Sequence, residues 1–357
     1  MATLPSTMRS ITITAPGKAE ILTSPLPKLR DDYILVRTTA VALNPTDWKH
    51  IDGALNTGAR VGCDYAGVVE AVGSKVTKAF APGDRVCGLC HGSNRVQFED
   101  GSFAEYIVAK GDLQIKTPDN LTDEQAATLG VGVSTVGQGL YQALQLPLPS
   151  TPSPTPIPLL IYGGSTATGI LGIQYAKLSG CAVAATCSPS NFDYLRSLGA
   201  DAVFDYRSPT AVADIKAWAA TFDAPLTHAW DCIASADSAR LCAAALSDSE
   251  PGHYRSLLRV DPAVVTEVNP RLDSAFTFAY TMVGEAFDKG FAVPAKPEDF
   301  EFGKMWWEVS RELLVQGKIK PANPVVNRGG SGLEGVLVGL KDLKEGRVSA
   351  GKLVYTL

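Results

Sequence analysis

A glycine-rich turn in the middle of the chain has the residue types of a phosphate-binding loop. Residues 159–162 are apolar and lead into Gly163-Gly164-Ser165-Thr166-Ala167-Thr168-Gly169, after which apolar residues recur with helical spacing. A dinucleotide pyrophosphate is bound by backbone N–H groups at the start of a helix, and glycines allow the close approach. Because Thr166 replaces the middle glycine of G-x-G-x-x-G, the motif alone also fits an ordinary strand-to-helix turn. Its position favours a dinucleotide site, with contacts from Gly164, Ser165, Thr166, Ala167, Thr168 and Gly169.

The segment roughly 20 positions further on decides which nicotinamide dinucleotide fits, since an acidic residue there binds the ribose of NAD. This sequence reads Thr186-Cys187-Ser188-Pro189-Ser190-Asn191, and its first acid is Asp193. Hydroxyl and amide donors without a carboxylate suit the extra phosphate of NADPH. We therefore predict NADPH, bound by Ser188, Pro189, Ser190, Asn191 and Tyr206. Alternatively, Ser188 and Asn191 only cap the next helix.

The elements around these segments alternate between strand and helix, which predicts an α/β fold with a doubly wound parallel sheet. Short strands are expected at 159–162, 182–186, 202–204, 229–231 and 254–260. The first third of the chain is β-rich, with strands at 33–39 and 65–72. Amphipathic helices are expected at 297–317 and 333–343. Residues 147–158 hold six prolines and are predicted to form a surface connection without helix or central strand.

Length and composition point to two domains of a globular enzyme. The 357 residues exceed the usual size of a single core. A net charge of −5 disfavours a nucleic-acid partner, and no apolar run is long enough for a membrane span. Residues 1–10 lack a signal pattern, so a cytoplasmic location is predicted. We expect 1–156 and 318–357 to form a substrate domain and 157–317 to form the nucleotide-binding domain.

The cysteines do not indicate a disulfide framework, because there are seven of them and most are scattered. One cluster, Cys87-Gly88-Leu89-Cys90-His91, matches the C-x-x-C-H of covalent haem attachment and half of a zinc knuckle. No second pair of cysteines follows it. We therefore favour buried or loop thiols, with haem or metal as the alternative.

Several segments together resemble the medium-chain dehydrogenase/reductase superfamily. The matching segments are Asn44-Pro45-Thr46-Asp47-Trp48-Lys49, Gly62-Cys63-Asp64-Tyr65-Ala66-Gly67-Val68-Val69, Pro82-Gly83-Asp84-Arg85-Val86, Gly101-Ser102-Phe103-Ala104-Glu105-Tyr106 and Gly346-Arg347-Val348-Ser349-Ala350-Gly351-Lys352. The resemblance implies a GroES-like β-rich catalytic domain, made from both ends of the chain, and an inserted Rossmann domain.

The positions that hold zinc in the zinc enzymes of that superfamily differ here. Those enzymes carry a cysteine near position 44 and Gly-His-Glu at 62–64, whereas this chain has Asn44 and Gly62-Cys63-Asp64. Cys63 with Asp64 cannot complete a tetrahedral zinc site, and the four-cysteine structural lobe is absent from the sequence. We therefore predict no metal.

A narrower resemblance is to the trans-acting enoyl reductases of fungal polyketide synthases, the lovastatin type. The segments at 44–49, 62–67 and 163–169 carry it, together with Cys187-Ser188-Pro189-Ser190-Asn191-Phe192-Asp193. This resemblance implies NADPH-dependent reduction of the α,β-double bond of polyketide thioesters bound to an acyl carrier protein, in secondary-metabolite biosynthesis. It also implies a monomer that works with a polyketide synthase.

Metal-free enoyl reduction needs a donor or cation for the enolate that forms, and Lys49 is the leading candidate. The alternative is a surface lysine. By resemblance Thr135 lies close to the nicotinamide as a second catalytic residue. Asp47, Trp48, Lys49 and His50 are predicted beside the cofactor, and by the same resemblance Val348 and Ser349 approach it.

The substrate channel is predicted from two segments. By resemblance one wall is Gly132, Val133, Ser134, Thr135, Val136, Gly137, Gln138 and Gly139, whose small residues leave room for an acyl chain. Alternatively, Ser134 or Thr135 caps a helix. The other wall is Phe276, Thr277, Phe278, Ala279 and Tyr280, whose aromatic rings could equally be strand core.

Two other functions remain open on the sequence alone. One is a soluble NADPH-dependent quinone or alkenal reductase, which shares the same cofactor turn. The other is a non-catalytic relative, either a structural protein or an interaction protein of membrane trafficking. The intact nucleotide turn argues against the latter.

Overall fold

The computed structural model describes residues 4–53 and 56–357. Residues 1–3, which belong to the segment predicted to lack a signal pattern, lie outside that range. The described chain forms two compact units, one ending at Ser134 and resuming at Tyr280, the other Thr135–Ala279. The predicted divisions at 156/157 and 317/318 lie further along the chain. One reason is that residues beyond 280 pack on the first unit. Trp306, for example, donates its Nε1–H to the carbonyl oxygen of Val133 at 2.8 Å.

The strands of the described residues follow the Val-, Ile- and Ala-rich runs of the sequence. They are β1 (Thr7–Ala15), β2 (Lys18–Pro25), β3 (Tyr33–Ala42), β4 (Asp64–Val72), β5 (Arg85–Leu89), β6 (Tyr106–Lys110), β7 (Ile115–Lys116), β8 (Ile157–Tyr162), β9 (Cys181–Thr186), β10 (Ala202–Phe204), β11 (His228–Asp231), β12 (Gly252–Ser256), β13 (Leu272–Phe276), β14 (Phe287–Asp288), β15 (Ala292–Val293), β16 (Pro324–Val326) and β17 (Lys352–Thr356).

The helices confirm the two amphipathic segments predicted near the end of the chain. They are α1 (Pro45–Asp52), α2 (Asp123–Ala126), α3 (Gly130–Val136), α4 (Ala167–Leu178), α5 (Phe192–Ser197), α6 (Ala211–Ala219), α7 (Ala236–Ala245), α8 (Pro262–Thr266), α9 (Pro297–Val315) and α10 (Gly332–Lys344). A π-helix spans Gly137–Ala143, and 3₁₀ turns span Gly111–Leu113, Pro189–Asn191 and Ala279–Val283. No helix of the described residues is long and apolar enough to cross a membrane.

The first unit is built on a seven-stranded sheet in the order β16-β17-β3-β4-β5-β7, with β6 paired to β3. Strand β17, near the end of the chain, pairs antiparallel with β3 at Val354 and Ala42. Apolar side chains from both ends of the chain, such as Val36, Phe103 and Leu353, form its core. This arrangement is the β-rich domain that the sequence predicted.

The second unit contains a six-stranded parallel sheet in the order β10-β9-β8-β11-β12-β13. The strand order reverses direction between β8 and β11, so the crevice at their carboxyl ends is the expected ligand position of a doubly wound sheet. The predicted Rossmann architecture is confirmed. Its core includes Leu160, Ala229 and Tyr254, which are fully buried on three neighbouring strands.

The proline-rich segment departs from the prediction at its end. Residues 147–158 were expected to exclude a central strand, yet Ile157 and Pro158 begin β8, which lies inside the sheet. The Ile157 N–H faces β9, where it donates to Gly180, so the missing N–H of Pro158 falls on the β11 side. Pairing with β11 starts only at Leu159, and no ladder hydrogen bond is therefore lost.

Candidate active site

The glycine turn after β8 is closed by Thr166, the residue that replaces the middle glycine. Its Oγ1 donates to the carbonyl oxygen of Gly163 at 2.8 Å and accepts from the N–H of Gly169 at 3.0 Å. Thr166 is thus the N-cap of α4. Its hydroxyl takes one of the free N–H groups of the first helical turn and leaves the others directed out of the helix start.

The glycines of this turn are required by the close approach of the chain to itself. Gly163 has a φ of +78°, which favours glycine. A Cβ on Gly169 would lie 2.4 Å from the carbonyl oxygen of Gly163, and one on Gly164 would lie 2.7 Å from Leu195. Strand β8 therefore passes into α4 with the helix N-terminus at the switch point of the sheet. This cradle fits the pyrophosphate of a dinucleotide.

The end of β9 is tied to the same turn. Thr186 accepts the N–H of Gly163 on its Oγ1 at 3.0 Å. Ser188 then starts a 3₁₀ turn, but neither Ser188 nor Asn191 makes a side-chain capping hydrogen bond. The capping alternative is therefore not supported. Pro189 and Ser190 are exposed, which leaves this segment accessible to a ligand.

The acidic side chains near this segment are already paired. Asp193 forms an ion pair with Arg196 at 3.2 Å, and Asp205 forms one with Arg207 at 3.0 Å. Tyr206 is 38% exposed, and its ring centroid lies 5.9 Å from that of Tyr162 beside the glycine turn. The arrangement offers hydroxyl and amide donors to an added phosphate.

In the first unit, a buried lysine binds the two side chains nearest the positions that hold zinc in related enzymes. Lys352 Nζ donates to Asn44 Oδ1 at 2.8 Å, to the carboxylate of Asp64 and to the carbonyl oxygen of Thr128 at 3.3 Å. Lys352 is 3% exposed and Asp64 is fully buried. The other carboxylate oxygen of Asp64 accepts the N–H of Val131 at 2.6 Å. An internal ammonium thus neutralises this carboxylate.

Asp47 lies inside the first turn of α1 rather than on its surface. Its Oδ2 accepts the N–H of Asn44 at 2.7 Å, while no hydrogen-bond partner for its Oδ1 occurs in residues 4–53 and 56–357. Burial raises the pKa of this carboxyl to about 8. Asp47 is therefore largely protonated at neutral pH and helps to shape the segment that carries Lys49.

Lys49, predicted to be catalytic, has an exposed side chain whose Nζ lies 5.7 Å from the ring of Trp48. It forms no ion pair with any part of the chain that the structure describes. Partial desolvation lowers the pKa of its ammonium, which makes it a better proton donor. His50, which is also predicted to lie beside the cofactor, forms a hydrogen bond between its Nδ1 and Thr46 Oγ1 at 3.2 Å.

Six polar side chains, two of them on α1, surround or include Tyr280, and we name this group the Tyr280 cluster. Its members are Thr46, His50, Cys63, His91, Tyr280 and Lys289. The Tyr280 hydroxyl shares hydrogen bonds with Thr46 Oγ1 at 2.8 Å and Cys63 Sγ at 3.6 Å. The His91 ring stacks on the Tyr280 ring at 4.5 Å, and Lys289 Nζ lies 4.2 Å from that ring.

Only part of this cluster could be recognised in the sequence. Tyr280 was predicted to bind substrate, but Lys289 was not singled out, and His91 was considered only within Cys87-x-x-Cys90-His91. Cys87 and Cys90 are buried thiols whose pKa burial raises to about 12. Lys289 lies almost 200 residues beyond His91, at the turn between β14 and β15. No local pattern could have linked the two.

The segment at 132–139 lies within helices, not at a helix start. Helix α3 begins at Gly130, so the alternative that Ser134 or Thr135 caps a helix is wrong. Ser134 Oγ instead accepts from Trp307 Nε1 at 3.2 Å. Thr135 is buried, and Val136 is followed by the π-helix that contains Gly137, Gln138 and Gly139.

Gly139 does not leave space for an acyl chain, contrary to the expectation for this segment. A Cβ built on it would lie 2.3 Å from the indole nitrogen of Trp230. Its lack of a side chain is therefore explained by packing within the second unit. Whether Gly132, Val133 and Thr135 contact substrate stays a prediction.

The second predicted wall is divided between the two units. Residues 276–279 belong to the second unit and Tyr280 to the first. Phe276 ends β13 with 40% of its side chain exposed, so it is not strand core, and its ring lies 6.2 Å from that of Phe278. Val348 is partly buried against the hydrophobic core of the first unit, whereas Ser349 is exposed.

Comparisons with known proteins agree with the two folds described above. The family described as "Alcohol dehydrogenase GroES-like domain" matches residues 30–119, and the family described as "Zinc-binding dehydrogenase" matches residues 167–249. A quinone oxidoreductase from Coxiella burnetii has the same fold, with a TM-score of 0.73, 22% identity and coverage of 98% of this chain and 99% of that one. These matches define a medium-chain dehydrogenase/reductase.

Relatives of higher identity give the narrower family. The chain is 49% identical to the trans-enoyl reductase resD of Aspergillus sclerotiorum, over 98% of this chain and 99% of that protein. It is 45% identical to the trans-enoyl reductase ACTTS2 of Alternaria alternata, again over 98% and 99%. The chain belongs to the trans-enoyl reductase family, and it is an oxidoreductase of secondary metabolism.

The zinc ion that one family name implies does not fit the residues present. Asn44 and Asp64 are both bound to Lys352. Burial raises the pKa of the Cys63 thiol well above its usual value, so the thiolate that zinc prefers is disfavoured. Within the described residues, no group of three His, Cys, Asp or Glu side chains could hold a metal ion.

Proposed function

We propose that this enzyme uses NADPH, without a metal, to reduce the α,β-double bond of a polyketide thioester carried by an acyl carrier protein. Membership of the trans-enoyl reductase family supports the reaction class. The observation that carries the choice of cofactor is the segment after β9, where Ser188, Ser190 and Asn191 stand in place of the ribose-binding acid. The neighbouring carboxylates of Asp193 and Asp205 are each paired with an arginine. A monomer in the cytoplasm, acting beside its polyketide synthase, is part of the proposal.

Residues of the second unit would hold the cofactor. The first-turn N–H groups of α4 and the closely packed glycines bind the pyrophosphate, while Thr166 fixes the helix start. Ser188, Ser190 and Asn191, with Tyr206, hydrogen-bond the 2′-phosphate. The bound cofactor supplies a hydride to the β-carbon of the substrate.

Residues of the first unit would handle the charge that this addition creates. As the β-carbon gains a hydride, the double-bond electrons move toward the thioester carbonyl, and negative charge develops on its oxygen. Lys49 has an ammonium of lowered pKa without an ion-pair partner, which suits donation of a proton to the α-carbon. Thr135 offers a hydroxyl near the cofactor, as the resemblance implies.

The proposal is tested by NADPH oxidation with crotonyl-pantetheine, a short unsaturated thioester, and with a simple quinone. We expect the thioester to be preferred clearly and NADPH to be preferred over NADH. Lys49→Ala should lower kcat by about tenfold to 100-fold, and Lys18→Ala, at an exposed lysine paired with Glu20, should leave it unchanged. Turnover of quinones with none of thioesters would replace the proposal by a quinone or alkenal reductase.

A further inference from the structure

Lys289 carries an ammonium whose surroundings do not satisfy it. Its Nζ lies over the ring of Tyr280 and reaches the carbonyl oxygen of Ser93 at 3.5 Å, the long limit of a hydrogen bond. Along the described chain, no carboxylate lies within ion-pair distance of it. Lys289 is partly buried. An ammonium has three N–H donors, and even their partial withdrawal from water without good acceptors has a cost.

Two buried lysines of the same unit show the contacts that a structural role requires. Lys110 is paired with Asp32 at 2.5 Å and with Glu285 at 2.8 Å. Lys352 is paired with Asp64 and also donates to Asn44. Both therefore have an internal counter-charge, as buried cations usually do. The contrast indicates that the acceptor for Lys289 comes from outside the protein.

His91 provides a second unsatisfied group on the same tyrosine. It is 5% exposed, and its Nε2 has no hydrogen-bond partner among the residues described. Its ring is fixed by stacking on Tyr280 and by an edge contact with Phe287 at 5.0 Å. A buried nitrogen held in place without a partner is the mark of a position that a ligand atom or water completes.

We infer that Lys289 and His91 bind the carbonyl oxygen of the enoyl thioester and stabilise the negative charge that develops on it. This inference rests on the proposed function and names the groups that replace a Lewis-acidic metal. The hydride adds to the β-carbon, the π electrons form the enolate, and the Lys289 ammonium holds its oxygen. The α-carbon then takes the proton that Lys49 donates and the carbonyl reforms, which leaves the saturated thioester, neutral Lys49 and the oxidised cofactor.

The electrostatic surroundings of Lys289 support this role. The titratable side chains around it are Asp47, His50, Cys63, His91 and Tyr280. Burial lowers the pKa of Lys289 to about 8, and it lowers the pKa of both histidines, which stay neutral. At neutral pH the cluster therefore carries one positive charge, on the Lys289 ammonium. This charge is lost when Lys289 is deprotonated in mildly alkaline solution.

The test compares Lys289→Met with Lys304→Met, a matched lysine of α9 that lies near a phenylalanine ring and pairs with Glu301. With crotonyl-pantetheine, Lys289→Met should lower kcat by about 100-fold, with an unchanged Kd for NADPH by fluorescence titration. Lys304→Met should match the wild type. His91→Phe, which keeps the stacking, should lower kcat by about tenfold. A Lys289→Met enzyme within threefold of the wild type would overturn the inference.

The charge of residue 289 gives a second, independent readout. The wild-type kcat should decline above about pH 8 as Lys289 loses its proton. In Lys289→Arg the decline should move to higher pH, because guanidinium stays charged and only the loss of the Lys49 proton then limits the rate. If Lys289→Met unfolds or no longer binds NADPH, the pH dependence of kcat in Lys289→Arg tests the inference instead. An alkaline decline at the same pH as in the wild type would overturn the inference. A wild-type enzyme that does not reduce thioesters at all would instead refute the proposed function.

Discussion

The glycine turn of the second unit and the polar site of the first unit are organised in opposite ways. In the turn, Gly163, Thr166 and Gly169 are joined by hydrogen bonds within seven residues, and Thr186 adds one from the end of the next strand. In the first unit, Lys352 meets Asn44 and Asp64 across about three hundred residues of chain. A local site depends on backbone shape, whereas a long-range site depends on buried charge. Substitutions in the two sites should therefore have different effects, on cofactor binding in the turn and on stability in the first unit.

The largest effect should come from removing the buried cation of the first unit. Lys352→Met leaves Asp64 buried without its counter-charge, which should cost about 3–5 kcal/mol of unfolding free energy. Urea unfolding followed by circular dichroism measures this loss. Lys341→Met, at an exposed position on α10, is the control and should change stability little. Equal stability of Lys352→Met and wild type would mean that Asp64 does not need its partner.

A pH effect should follow from Asp47, because burial raises its folded-state pKa to about 8. The folded protein then retains a proton that the unfolded chain releases near pH 4, so stability falls as pH rises from about 4 to 8. We expect a loss of about 2 kcal/mol between pH 6 and 8. Asp47→Asn keeps an oxygen for the Asn44 N–H but cannot titrate. In this variant the Asp47 contribution to the slope of unfolding free energy against pH should vanish. Parallel slopes for both proteins would contradict the assignment.

The smallest effect should be a change of cofactor preference without a change of fold. Ser190→Asp places a carboxylate in the exposed segment after β9, where it would repel the 2′-phosphate of NADPH. The ratio of kcat/KM for NADPH to that for NADH should fall by about tenfold, or ~1.4 kcal/mol. Ser190→Ala controls for the lost hydroxyl, and both variants should melt within a few degrees of wild type. An unchanged ratio would remove Ser190 from the cofactor site.

The difference between the sites also explains what could be predicted from the sequence. The β8 strand, the glycine turn and α4 are contiguous, and their apolar periodicity and glycines predict their structure directly. The prediction that the first unit binds no metal rests on single residues, Asn44 and Cys63. Lys289 and His91 were missed because only the tertiary fold brings them to Tyr280. Gly139 was misread because nothing local indicates that Trp230 fills the space beside it.

The pairing of β17 with β3 affects the order in which the two units can fold during synthesis. A ribosome must have released the chain through Lys352 before this residue can reach Asn44 and Asp64, whereas Thr135–Ala279 emerges as one contiguous block. Since domains generally fold as they are synthesised, the nucleotide-binding unit should form first, while β3 and β4 wait with exposed edges. Newly made chains would then be vulnerable to aggregation mainly through their amino-terminal strands.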